Sequence, residues 1–263
     1  MIVRLTRPLA IASLAAIGLS SPVQAQDVQP PHRYRVTLGP QVGPRYPGAD
    51  GANITPFFDL ARARGDEQFV FSAADESFGL SLFQANGFAA GPVLGLEGSR
   101  RKRDALGLPR VGFTFEPGGF VQYNFGEPLR ARVEVRQGIG GHKGLTSYAG
   151  VDYVARDRDE WLFAIGPRLT VSNGRYQRAY FGVPADRSIA SGLPTYRPSG
   201  GVQAVGGTAS FIKRLTPHWG VYTYGKYDRL VDDAGRSPVV RAYGSRNQWS
   251  AGLAASYTFG GGN

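Results

Sequence analysis

The chain has 263 residues, a formal charge of +10, 37 glycines and no cysteine. Without cysteine there is no disulfide or thiolate metal site, and the length suits one large β domain. Beyond the N-terminus no apolar run approaches the roughly 20 residues of a spanning helix, which excludes a helical membrane protein.

Residues 1–25 carry the marks of a secretion signal. Arg4 and Arg7 form a basic start, Leu9–Ser20 an apolar core, and Val23-Gln24-Ala25 a small-residue cleavage site, so 26–263 is the expected mature domain. Export sets nucleic acid aside as the partner of the basic charge. It points instead to the lipid bilayer, lipopolysaccharide and anionic solutes.

Along the mature chain the pattern has period two. Twelve candidate strands lie near 33–43, 53–61, 67–74, 76–84, 88–98, 111–125, 129–138, 145–155, 160–172, 202–213, 218–228 and 247–259. The clearest is 129–138, where Leu129, Ala131, Val133 and Val135 share one face and Arg130, Arg132, Glu134 and Arg136 the other. Repeated behind an export signal, such segments predict an all-β fold. The expectation is a transmembrane antiparallel β-barrel of about 12 strands (10–14), apolar outside and polar inside.

The connections agree with that reading. Every second one is short (62–66, 85–87, 126–128, 156–159, 214–217), as periplasmic turns should be, and the long ones, 99–110, 173–201 and 229–246, fall on the outer side. Tyr34, Trp161, Trp219, Tyr123, Phe125, Tyr257 and Phe259 would then form an aromatic rim at the periplasmic interface.

Inside such a barrel Arg130, Arg132, Glu134, Arg136, Glu116, Asp152 and Arg168 would line the lumen. Arginine excess favours anions if water passes through; a closed charge network would make the same residues a plug. The sequence leaves both open. On the outer side Arg100, Arg101, Lys102 and Arg103 are candidates for contact with lipopolysaccharide phosphates, or a solvated loop. On the periplasmic side the turn Arg156, Asp157, Arg158 and Asp159, together with His218, could dock a partner.

No catalytic, cofactor-binding or metal-binding set emerges. His142, near Lys143 and Ser147, lacks an orienting group in the sequence and reads as a solvated loop histidine. Gly138–Gly144 lacks the glycine-lysine spacing of a phosphate loop and reads as a hairpin connection. Arg156 and Arg158 intersperse Asp157, Asp159 and Glu160, which makes a charged turn rather than a cation site.

From Tyr180 to Phe259 the chain resembles the MipA/OmpV family, the MltA-interacting proteins. The likeness rests on Tyr180-Phe181-Gly182-Val183, Ser191-Gly192-Leu193-Pro194-Thr195-Tyr196, Leu215–Val221, Tyr227–Ala234, Ser237-Pro238-Val239-Val240, Gly244–Gln248 and Ser256-Tyr257-Thr258-Phe259. Upstream, Gly39-Pro40, Tyr46–Asp50 and Ile54-Thr55-Pro56 fit the same family. The resemblance implies a non-enzymatic outer-membrane barrel that scaffolds a murein lytic transglycosylase and a peptidoglycan synthase. A passive porin-like channel with an anion-leaning lumen is the alternative. Family barrels stop at the aromatic residue, whereas here Gly260-Gly261-Gly262-Asn263 follows Phe259.

Overall fold

The computed structural model describes residues 30–126 and 128–260. The expected signal peptide and the tail 261–263 lie outside the described residues. In chain order the strands are β1 (His32–Pro44), β2 (Ala52–Arg64), β3 (Phe78–Gly79), β4 (Phe83–Ala85), β5 (Phe88–Glu97), β6 (Thr114–Asn124) and β7 (Leu129–Gln137). They continue with β8 (Ile139–Gly140), β9 (Leu145–Asp157), β10 (Trp161–Asn173), β11 (Gly200–Arg214), β12 (Trp219–Leu230) and β13 (Asn247–Gly260). Four helices join them at the long-loop end: α1 (Gly174–Phe181), α2 (Ser188–Ser191), α3 (Asp232–Arg236) and α4 (Pro238–Tyr243).

All strands belong to one antiparallel sheet that curls into a barrel. Its order is β2-β1-β13-β12-β11-β10-β9-β7-β6-β5-β3, with β4 also on β5 and β8 also on β6. The first and last long strands meet in register, Tyr34 opposite Phe259 and Leu38 opposite Ala255. Residues of period two sort by chemistry. Leu129, Val133 and Val135 of β7, Ile165 and Leu169 of β10, and Leu253 of β13 are exposed, while Arg130, Arg132, Glu134 and Arg168 are buried. An apolar outer face of this extent is stable only against lipid, so the barrel is a transmembrane one.

At the short-turn end the aromatic rim is present. Tyr34 stacks on Phe259 at 5.7 Å, and Tyr257 meets Trp219 at 4.8 Å. The hairpin between β4 and β5 is made by Asn86 and Gly87, both at positive φ, the two-residue turn that matches strand twist.

The expected strand at 67–74 is a correction. No ladder forms there, and 76–84 yields only the short β3 and β4. Among the described residues no ladder joins β2 to β3. The connection 65–77 runs through the interior instead, with Phe69 and Ala73 buried, Val70 exposed, and Phe71 and Ala74 packed against Phe57, Tyr222 and Tyr224. Its alternation is that of a strand, but side chains hold its backbone. Arg33 donates to the Gly65 and Glu67 carbonyls at 2.7 and 2.6 Å, Arg156 to the Phe69 carbonyl at 3.0 Å, and Arg130 to the Phe71 carbonyl at 3.1 Å. The Phe69 amide donates to Asp159 at 3.1 Å. Guanidinium groups thus satisfy carbonyls that a neighbouring strand would otherwise serve.

Candidate functional site: a filled interior under a helical cap

Four inward-facing strands carry the charges to the barrel's interior. Alternation on β7 delivers Arg130, Arg132, Glu134 and Arg136; β6 delivers Glu116, β9 Asp152 and β10 Arg168. Asp152 sits between two arginines, accepting from Arg130 at 2.5 Å and Arg168 at 2.6 Å. Arg132 pairs with Glu134 at 2.8 Å and lies over the Phe120 ring at 3.7 Å. Arg136 approaches Glu116 at 3.5 Å.

Two acids that the sequence reading did not single out complete the network. Asp75 lies 3.1 Å from Arg168 and 3.3 Å from Lys226, and it also accepts from the Tyr148 hydroxyl. Glu76 pairs with Arg130 and lies 3.7 Å from Arg132. Both come from the 65–77 connection. The sequence reading put Asp75 between two candidate strands and Glu76 at the start of the second, which hid their joint role. Buried ions of this kind are tolerated only when each is paired and hydrogen-bonded.

His142 corrects the sequence expectation of a solvated loop residue. It is 2% exposed, its Nε2 is 2.9 Å from Glu116, and its Nδ1 accepts from the Gly144 amide at 3.0 Å. Tyr176 packs edge-on against the ring at 4.6 Å. Ser147 instead donates to the Glu134 carbonyl, so no Ser–His pair forms. Among the described residues no cluster of His, Asp and Glu could hold a metal ion.

Above this interior the long loops build a cap. Asn173 caps α1 by accepting from the Tyr176 amide, and Ser237 caps α4 by accepting from the Val239 and Val240 amides. The Ser237 hydroxyl donates to the Phe181 carbonyl at 2.7 Å, tying the end of α1 to the start of α4. Tyr176 reaches Glu97 at 3.2 Å and Tyr180 the Gly98 carbonyl at 2.9 Å. Burial pushes both phenols above their usual range, so they stay protonated donors. Tyr46, Tyr176, Tyr180, Phe181, Leu230, Ala234 and Val240 form the apolar core of the cap.

Arg100 belongs to this cap, which corrects its place in the basic cluster. It is 1% exposed and donates to the Tyr180 carbonyl at 2.5 Å and the Pro109 carbonyl at 3.1 Å. Burial beside carbonyls, rather than the run of charge, decided its role. Arg101, Lys102 and Arg103 remain exposed.

The turn residues also divide. Arg156 and Asp159 face inward, paired at 3.1 Å and clasping Phe69, and Asp159 also meets Arg33 at 3.1 Å. Asp157, Arg158 and His218 are exposed, with His218 bonded to the Thr258 carbonyl. A cavity of about 30 Å³ opens here beside Arg33, Arg35, Phe69 and Asp159, room for about one water.

Several of the residues that carried the family likeness converge on the cap, while Leu215–Val221 and Ser256–Phe259 lie at the short-turn end. Val183 and Tyr196 exchange two backbone hydrogen bonds, the Tyr196 hydroxyl donates to the Asp233 carbonyl, and Gln248 bonds both Gly48 and Ala49. The family model described as "MltA-interacting protein MipA" matches residues 36–259. The chain belongs to that family. Its matched span runs from β1 to β13 and takes in the wall, the interior charges and the cap. No curated protein matches the chain.

Among solved structures the chain is similar to the KdgM porin, with TM-score 0.38 and 12% identity, covering 87% of this chain and 99% of that one. It is also similar to the N-terminal β-barrel domain of Pseudomonas aeruginosa OprF, with TM-score 0.30, 13% identity, and 67% and 100% coverage. The outer membrane channel DcaP of Acinetobacter baumannii gives TM-score 0.35, 6% identity, and 88% and 96% coverage.

The cap also offers a pH test. The Ser199 amide donates to the Asp233 carboxylate at 2.9 Å and Arg236 donates at 2.9 Å, which holds Asp233 below the usual carboxylate range. A group with a depressed folded pKa contributes stability above its unfolded value, and that contribution is lost as pH falls through the folded one. Exchange protection of the Ser199 amide, corrected for intrinsic rate, is expected at neutral pH. It should fade below the ordinary carboxylate pKa of about 4. Asp233→Ala, which has no side-chain acceptor, should lack it throughout.

Proposed function

We propose that this protein is a non-enzymatic outer-membrane scaffold, closed at rest. Its short-turn face would hold a murein lytic transglycosylase and bring it to a peptidoglycan synthase. The observation that carries the reading is the filled interior. Inward arginines are already paired with Asp75, Glu76, Glu134 and Asp152, and the outer mouth lies under α1 and α4. A barrel so occupied is stiff, and stiffness suits a platform better than a conduit. The family's description as MltA-interacting supports the partner class. Exposed Asp157, Arg158, Leu215 and His218 offer the contact surface on that face.

The test is capture of purified MltA-type transglycosylase by the folded barrel in lipid nanodiscs. Wild type is expected to bind, and Arg158→Glu combined with Leu215→Asp to weaken binding at least about tenfold, roughly 1.4 kcal/mol. A heat-resistant barrel that captures nothing overturns the scaffold. Large steady conductance of the unmodified barrel in a planar bilayer would overturn closure and favour the anion-leaning channel.

A further inference from the structure

We infer that Asp75 and Glu76 occupy, from within the chain, a latent binding site for polycarboxylate solutes. The site would be formed by Arg130, Arg132, Arg168 and Lys226. This goes beyond the scaffold reading and does not depend on it.

The site is built from four cations on three strands, β7, β10 and β12, converging on two adjacent carboxylates. Arg168 lies 3.1 Å from Asp75 and Lys226 3.3 Å from it; Arg130 and Arg132 face Glu76. Guanidinium forks are suited to carboxylates. Withdrawing the two acids would leave Arg132 with Glu134, Lys226 with Asp228, and Arg130 and Arg168 sharing the single carboxylate of Asp152. The buried Nε donor of Arg130 has no partner among the described residues, so one donor of the site is unused.

The occupant is also held differently from the wall. Residues 67–77 belong to no ladder, and they lie inside the barrel against inward-facing side chains of the wall. Displacing them breaks side-chain bonds to Arg33, Arg130, Arg156 and Asp159 while every strand pair stays intact. Segments of this kind open at lower free energy than ladder strands. A solute bearing two or more carboxylates would replace the interactions of Asp75 and Glu76 one for one. Binding would then shift the segment out of the interior by mass action.

The chain has no cysteine, so a single introduced thiol reports on the segment. Ala73, 5% exposed, is replaced in Ala73→Cys, with Ala74→Cys as a second reporter should the first not fold. Folding is checked by heat-modified mobility. The barrel is treated with a charged, water-soluble maleimide in citrate and in chloride of matched ionic strength. Citrate is expected to raise the labelling rate at least tenfold, saturably, and Arg168→Gln to move the half-effect concentration up at least tenfold. A rate that is flat in citrate, or that rises equally in chloride, overturns the site.

Discussion

Replacing Asp152 with alanine is expected to destabilise the folded barrel by about 3–5 kcal/mol, the cost of leaving buried charges without their partner. Two guanidinium groups, Arg130 and Arg168, share this one carboxylate at 2.5 and 2.6 Å, and all three side chains are almost fully buried. Arg130 keeps Glu76 and Arg168 keeps Asp75, so what is lost is the carboxylate that bridges the two. The measurement is the urea midpoint of the barrel folded in lipid vesicles, compared with wild type. Asp152→Ala combined with Arg168→Met should recover part of the loss, since it removes one of the two guanidinium groups that lost the bridging carboxylate. A single variant within about 0.5 kcal/mol of wild type, the scatter of ordinary surface changes, would mean that water reaches these arginines and the interior is not closed.

Phe181→Ala is expected to have an effect of similar size on a different unit. Phe181 is fully buried, and it packs with Tyr46, Ala49, Tyr180 and Val240 where the first long connection, α1 and α4 meet. Truncating a buried phenylalanine costs about 3–5 kcal/mol. Here the loss should fall on the docking of the cap, because the wall's strand ladders do not include residue 181. Limited proteolysis should cut the variant between residues 184 and 199 at least about a hundredfold faster, while the core fragment keeps its heat-resistant mobility. If the whole barrel loses heat resistance at once, cap and wall unfold as one cooperative body.

How far the sequence could be read differs between wall and interior, for a physical reason. Alternation on β7, β9, β10 and β13 is enforced by lipid on one side and charge on the other, so period two alone located Leu129, Val133, Arg130 and Arg132 on their faces. Strand ends fell within a few residues. The stretch 67–74 misled because Phe69, Phe71 and Ala73 alternate as a strand would; what distinguishes it is the loss of ladder partners to Arg33, Arg130 and Arg156. That is a tertiary fact with no local signal. The same holds for His142 and Arg100, whose environments come from Glu116 and Tyr180, 26 and 80 residues away. Asp75-Glu76, by contrast, had a legible cue: two adjacent acids opposite an arginine excess.

The pairing of β1 with β13 has a consequence for how the molecule is made. Arg33 finds Gly260, and the β1–β2 hairpin is joined to the rest of the sheet only through β13. This pairing is therefore the most non-local in the sheet, and such contacts are slow to form. Until β13 arrives, the opening hairpin has no neighbour in the sheet. Any insertase serving this chain must therefore hold the opening hairpin until the last strand has been threaded, and among the described residues β2 and β3 stay unpaired with each other even then.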